Sequence, residues 1–132
     1  MSVSEPPRRP GGFRRIDSFR FAGRGLRVLL QTQPNARIHA VITCLVVAIG
    51  CGLNISRIDW ICVALASGGV WAAEALNTAI EFLTDRVSPE WSADAARIKD
   101  VAASAVLLAA IAAALTGCLV FLPPLLQVFT AP

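Results

Sequence analysis

Glu74-Ala75-Leu76-Asn77-Thr78-Ala79-Ile80-Glu81-Phe82-Leu83-Thr84-Asp85 runs on without a break from an apolar segment, Trp60 to Ala73. Joined, the two stretches are long enough to cross a bilayer, which takes about 20 residues of helix. At about 100° of rotation per residue, Glu74, Asn77, Glu81 and Asp85 fall within an arc of about 80° on one helix face. Charged side chains at membrane depth cost several kcal/mol each, so they face a bundle interior, an ion or a polar ligand. The stripe is therefore a candidate site, and the span that carries it makes an all-α integral membrane fold the expectation.

Working outward, hydrophobic residues are 55% of the 132, and the charges gather in segments. That is a membrane composition, and the length suits about three spans with short loops and no separate soluble domain. Eight arginines lie between Arg8 and Arg37. Beside an apolar span such a block anchors the cytoplasmic face of a membrane; no nucleic-acid motif accompanies it, so no nucleic-acid partner is expected. Cys44, Cys51, Cys62 and Cys118 all sit in apolar runs without metal-ligand spacing and read as packing residues.

Residues 1–12 hold prolines, glycines and arginines but no apolar run, and are expected to be disordered. The first long apolar run begins near Ile38, too late for a signal peptide, so the N-terminus is expected to be retained. From Phe13 to Leu30, Phe13, Ile16, Phe19, Leu26 and Leu30 share one side of a helical wheel among arginines, as in an amphipathic helix lying on a membrane surface. Pro34 predicts a turn over Gln31 to Asn35. Three spans follow: Ile38 to Leu53, Trp60 to Leu83 and Val101 to Leu122. Asn54 to Asp59 is a polar link, Arg86 to Lys99 a polar loop, and Pro123-Pro124 is expected to stop the third span. Arg57 is the one basic residue of the first link, Arg86, Arg97 and Lys99 belong to the second, and none follows the third span. The positive charge thus places the N-terminus and the second link in the cytoplasm.

This topology brings Glu81, Asp85, Lys99 and Asp100 to the cytoplasmic membrane surface, within reach of a cytosolic ligand. Carboxylates there, opposite a lysine, can hold Mg²⁺ and nucleotide phosphates, since Mg²⁺ takes one or two carboxylates plus phosphate oxygens. Phosphoryl transfer asks for positioning, charge neutralisation and a base for the attacking hydroxyl. Glu74, nearly two turns deeper, stands where a base for a lipid hydroxyl belongs. No P-loop and no kinase glycine-rich loop is present, which excludes the familiar soluble nucleotide folds.

Residues 74–85 closely resemble the signature of the prokaryotic diacylglycerol kinase and undecaprenol kinase family, in which Glu-x-x-Asn-[Ser/Thr]-Ala-Ile-Glu leads to Val-Asp. Phe19-Arg20-Phe21-Ala22 with Gly25-Leu26, Arg37-Ile38-His39, Leu53-Asn54-Ile55-Ser56 and Ala95-Ala96-Arg97-Ile98-Lys99-Asp100 add to the match. The resemblance covers residues 13–125, a lipid kinase membrane domain, and leaves 126–132 as a short tail. It implies a multi-pass protein of the bacterial plasma membrane, three transmembrane helices plus the surface helix, assembled as a homotrimer, that moves the γ-phosphoryl of MgATP to a lipid alcohol. Carried over by position, Glu74 is the base, Glu81 a ligand of metal and ATP, and Asn77 and Asp85 supporting polar residues. Arg15, Lys99 and Asp100 are nucleotide contacts, and Glu90 to Ser92 align with further ones. Arg37-Ile38-His39 and Leu53-Asn54-Ile55-Ser56 look more like the undecaprenol branch than the diacylglycerol branch.

Two positions depart from the pattern. Thr84 replaces a valine, a minor change, and Gln33 stands where the family carries a glutamate as second metal ligand. An amide offers an oxygen to Mg²⁺ but no charge. On Gln33 alone rests the alternative reading, a catalytically weak or inactive membrane scaffold derived from such a kinase.

Overall fold

The computed structural model describes residues 15–130 and the side chains of 17–128. The expectations for residues 1–12 and Phe13, and those for the side chains of Arg15 and Ile16, lie outside the described residues. Four helices follow one another, α1 (Arg15–Thr32), α2 (Pro34–Leu53), α3 (Arg57–Val87) and α4 (Ala93–Thr130), with no strand among the described residues. Three of them, over Pro34–Leu53, Arg57–Val87 and Ala93–Val128, are long and apolar enough to cross a membrane.

The corner between α1 and α2 is tighter than the five-residue turn expected at Gln31 to Asn35. Gln33 alone leaves the helical region (φ −108°, ψ 115°), and its N–H donates to the Leu29 carbonyl at 2.9 Å. Pro34 then opens α2, at a position where no N–H is needed and where its fixed φ is already helical. Arg37 clamps the corner, donating from Nε to the Leu30 carbonyl (2.9 Å) and from Nη2 to that of Gln31 (2.7 Å). These carbonyls of the last turn of α1 would otherwise lack intrahelical donors. Leu29 and Ala36 are buried inside the bend.

Asn54-Ile55-Ser56 makes the second corner. Asn54 takes the left-handed conformation (φ 49°), which asparagine tolerates better than most residues. The Ile55 N–H reaches back to the Gly50 carbonyl at 3.2 Å. Ser56 then caps α3: its Oγ accepts the Asp59 N–H at 3.2 Å, and the Asp59 carboxylate accepts the Ser56 N–H at 3.1 Å. This reciprocal cap draws Arg57, Ile58 and Asp59, expected in the polar link, into the first turn of α3. Gly50 makes the close approach possible, because a Cβ there would stand 2.9 Å from the Trp60 ring.

Two further expectations are corrected at α4. Most of the polar stretch from Arg86 to Lys99 is helical rather than loop. Val87 ends α3 and Ala93 begins α4, with Ser92 Oγ accepting the Ala95 N–H at 3.1 Å as its cap. Pro123 and Pro124 do not stop the helix, which runs on to Thr130. Proline's φ is itself helical; the cost is two missing N–H donors, those that would have met the carbonyls of Leu119 and Val120, and membrane helices tolerate such losses. α4 packs chiefly along α3, its alanines permitting close approach, with Val63 and Val70 of α3 and Ala102, Val106 and Val120 of α4 buried.

Candidate active site

The α1–α2 corner, the C-terminal turns of α3 and the first turns of α4 meet at one end of the bundle, and the polar stripe of α3 descends from that end into the interior. Its burial is graded. Asp85 is exposed, Glu81 half-buried, Asn77 6% exposed and Glu74 only 1%. The helical period brings all four to one face, as the spacing predicts.

Three of these residues are tied to partners. Glu81 accepts at both carboxylate oxygens: from Asn77 Nδ2 to Oε1 at 2.9 Å, one turn away, and from Gln33 Nε2 to Oε2 at 3.2 Å across the helix corner. Asp85 is ion-paired with Lys99 Nζ at the start of α4. Asp100, the next residue, is exposed. Arg15 heads α1, its side chain outside the described residues.

Two acceptors at depth have no partner. Glu74 Oε2 and Asn77 Oδ1 are buried without a hydrogen bond among the described residues. Buried polar atoms are nearly always paired, and an orphaned one points to a ligand, an ion or water that the protein chain does not supply. Both being acceptors, a donor such as a hydroxyl satisfies either. Thr78 offers no help, because its hydroxyl already donates to the Glu74 carbonyl at 2.9 Å.

Beside the stripe runs an apolar groove of about 970 Å³ between α1, α2 and α3. Leu26 and Leu29 of α1, Cys44 of α2, and Trp71, Ala79 and Phe82 of α3 line it. The small Ala75 and Thr78, one and four residues beyond Glu74, also face it, so the groove face of α3 adjoins the acidic face. Trp71 is held by donation from Nε1 to Thr43 Oγ1 at 3.1 Å, and Thr43 in turn donates to the His39 carbonyl at 2.7 Å.

The donor set suits Mg²⁺ that arrives with a nucleotide better than a free-standing metal centre. Among the described residues no group of three acidic, histidine or cysteine side chains converges. One carboxylate, Glu81, keeps a free lone pair on each oxygen, and an unpaired amide oxygen lies a turn away. One carboxylate plus phosphate oxygens is an ordinary Mg²⁺ environment.

Thr84, in place of valine, is 7% exposed, and its hydroxyl is satisfied within α3 by donation to the Ile80 carbonyl at 2.8 Å. Ser92, aligned with nucleotide contacts, is engaged as the α4 cap. The spacing carried no signal of the Thr43–Trp71 contact, and the Gln33–Glu81 contact was pointed to only by the resemblance, which sets Gln33 at the place of a second metal ligand beside Glu81.

Comparison with known proteins agrees with this picture. Residues 20–121 match the family model of prokaryotic diacylglycerol kinase. The chain is 38% identical over 108 residues to the undecaprenol kinase of Bacillus subtilis (strain 168), covering 82% of this chain and 88% of that one. It is 41% identical over 111 residues to the diacylglycerol kinase of Synechocystis sp., covering 83% of this chain but 63% of that longer protein. Against the diacylglycerol kinase of Escherichia coli (strain K12) identity is 33% over 109 residues, with 82% and 89% covered.

Proposed function

The chain belongs to the prokaryotic diacylglycerol kinase family and is a lipid kinase, and from that premise we propose that it transfers the γ-phosphoryl group of ATP, with Mg²⁺, to the primary hydroxyl of a membrane lipid, undecaprenol ahead of diacylglycerol. The observation that carries this reading is Glu74, 1% exposed, with Oε2 unpaired two turns below Glu81 on one face of α3.

In this reading the lipid tail occupies the groove between α1, α2 and α3, and its hydroxyl donates to Glu74 Oε2. As the hydroxyl oxygen bonds to the γ-phosphorus, the bond from phosphorus to the β,γ-bridging oxygen breaks, ADP departs and the hydroxyl proton passes to Glu74. Lys99, with N–H donors to spare beyond Asp85, faces the phosphates, and Arg15 and Asp100 complete the nucleotide contacts. Asn77 and Asp85 support the site, Asn77 by holding Glu81 and Asp85 by holding Lys99. Glu81 is the carboxylate that holds Mg²⁺, and the ion supplies neutralisation of phosphate charge.

The arginine block supports an orientation with the N-terminus and the Glu81 end in the cytoplasm, at the plasma membrane of a bacterium. A homotrimer carries over from the family, and the exposed apolar faces of α2 and α4, with Leu45 and Leu119 among them, leave surface for neighbouring helices. The scaffold alternative gains nothing from relatives named as kinases.

For the lipid, the lean toward undecaprenol rests on the likeness of Arg37-Ile38-His39 and Leu53-Asn54-Ile55-Ser56 to that branch. Coverage does not separate the two, since the undecaprenol kinase relative is matched over 88% of its chain and the Escherichia coli diacylglycerol kinase over 89%. Phosphate transfer from γ-labelled ATP to undecaprenol and to diacylglycerol, measured in one detergent, is expected to give the higher kcat/KM with undecaprenol. The reverse order would move the substrate assignment, and transfer to neither would end the kinase reading.

A further inference from the structure

We infer that Gln33 is a positioning residue for Glu81, holding that carboxylate by donation and leaving the cation site of this chain with a single negative charge. The inference rests on the kinase reading only for the identity of the nucleotide.

The side-chain nitrogen of Gln33 lies 3.2 Å from Glu81 Oε2. An amide's nitrogen and oxygen have the same shape, but turned the other way the oxygen would oppose a carboxylate oxygen, acceptor against acceptor. The donor orientation is thus set by Glu81 itself. Asn77 occupies the other oxygen at 2.9 Å, so two neutral amides, one from the α1–α2 corner and one from α3, grip one carboxylate. Neither grip is left to a mobile side chain. Asn77 is buried, and Gln33 is the single extended residue of a corner fixed by Pro34, by the Arg37 clamp and by its own N–H bond to Leu29.

A glutamate at position 33 would change the physics of the empty site. Two carboxylates at about this separation repel strongly, and a divalent cation between them relieves the repulsion. Such a site needs its ion to hold together. With Gln33 the attraction is present before any ion binds, so Glu81 is placed in the nucleotide-free protein. Free Mg²⁺ meets one charge and is captured weakly; the ion enters with the triphosphate, whose own oxygens complete its shell.

The test uses the full chain in detergent without nucleotide, melted in EDTA and then in excess free Mg²⁺, as wild type, Gln33→Glu and Gln33→Met. Wild type and Gln33→Met are expected to melt at the same temperature with and without Mg²⁺. Gln33→Glu should melt lower in EDTA and recover by about 3 °C or more when Mg²⁺ is added. Equilibrium binding of MgATP then separates positioning from mere packing: Gln33→Met keeps the side-chain volume but not the donor, and should weaken binding roughly 3- to 10-fold. Two results would overturn the inference: a wild-type melting temperature that rises with Mg²⁺ as far as that of Gln33→Glu, which makes Gln33 a ligand, or unchanged MgATP affinity in Gln33→Met. The melting arm involves neither nucleotide nor lipid, so it reports on position 33 even if no lipid is phosphorylated.

Discussion

Asp85 and Lys99 come from different helices and meet at the open end of the site, with side chains 61% and 38% exposed. An ion pair that open to water contributes about 0–1 kcal/mol to stability, so its value lies in where it keeps the ammonium group. Asp85→Asn should therefore leave the melting temperature nearly unmoved. Lys99→Ala should raise the ATP concentration for half-saturation several-fold, because the proposed phosphate contact is lost. ATP titrations alongside melting curves check both, and a large destabilisation by Asp85→Asn would mean that the pair is structural. At this scale the stripe was legible because Glu74, Asn77, Glu81 and Asp85 obey the helical period, and period is a local property. What holds Glu81 from across the bundle is outside any local period, because Gln33 lies 48 residues away in sequence and meets it through the corner at Pro34; only the family resemblance, which puts Gln33 at the place of a second metal ligand, pointed to it.

Helices and their corners obey different rules of legibility. The three spans were evident from apolar length, but their ends were set by single caps: Ser56 with Asp59 starts α3 early, and Ser92 starts α4 inside a stretch polar enough to read as loop. Proline proved a weaker stop than expected, since α4 continues through Pro123 and Pro124. The α2–α3 corner depends on Gly50, where an added Cβ would lie 2.9 Å from one Trp60 ring carbon and 3.1 Å from another. Trp60 cannot retreat easily, being half-buried at the start of α3. Gly50→Val should cost about 1–3 kcal/mol through overpacking, read as a lower melting temperature, and Trp60→Leu in the same chain should recover part of it. If Gly50→Val melts like wild type, the corner is looser than described.

Taken as a whole, the molecule places a buried carboxylate with a vacant acceptor at the inner end of a polar stripe, an apolar groove along its flank and a charged mouth at one membrane surface. Each part lies where the proposed reaction between a membrane-bound alcohol and a water-borne triphosphate needs it: on that proposal the alcohol arrives sideways from the bilayer, the nucleotide from the end, and they meet along α3. The division of labour follows from depth. Glu74 is closed to solvent and suits proton acceptance from the lipid, whereas Glu81, half-open and doubly held, suits the metal-bound phosphates. The most direct test is γ-phosphoryl transfer from external ATP to lipid in sealed inside-out membrane vesicles, with MgATP binding measured on the same preparations of wild type and Glu74→Gln. Wild type should phosphorylate lipid in inside-out but not right-side-out vesicles, and Glu74→Gln should bind MgATP like wild type while turning over about 10²-fold more slowly or less. Wild-type turnover in Glu74→Gln, or loss of its MgATP binding, would contradict the assignment of Glu74 as the base and, with it, the reading of the stripe as a catalytic site.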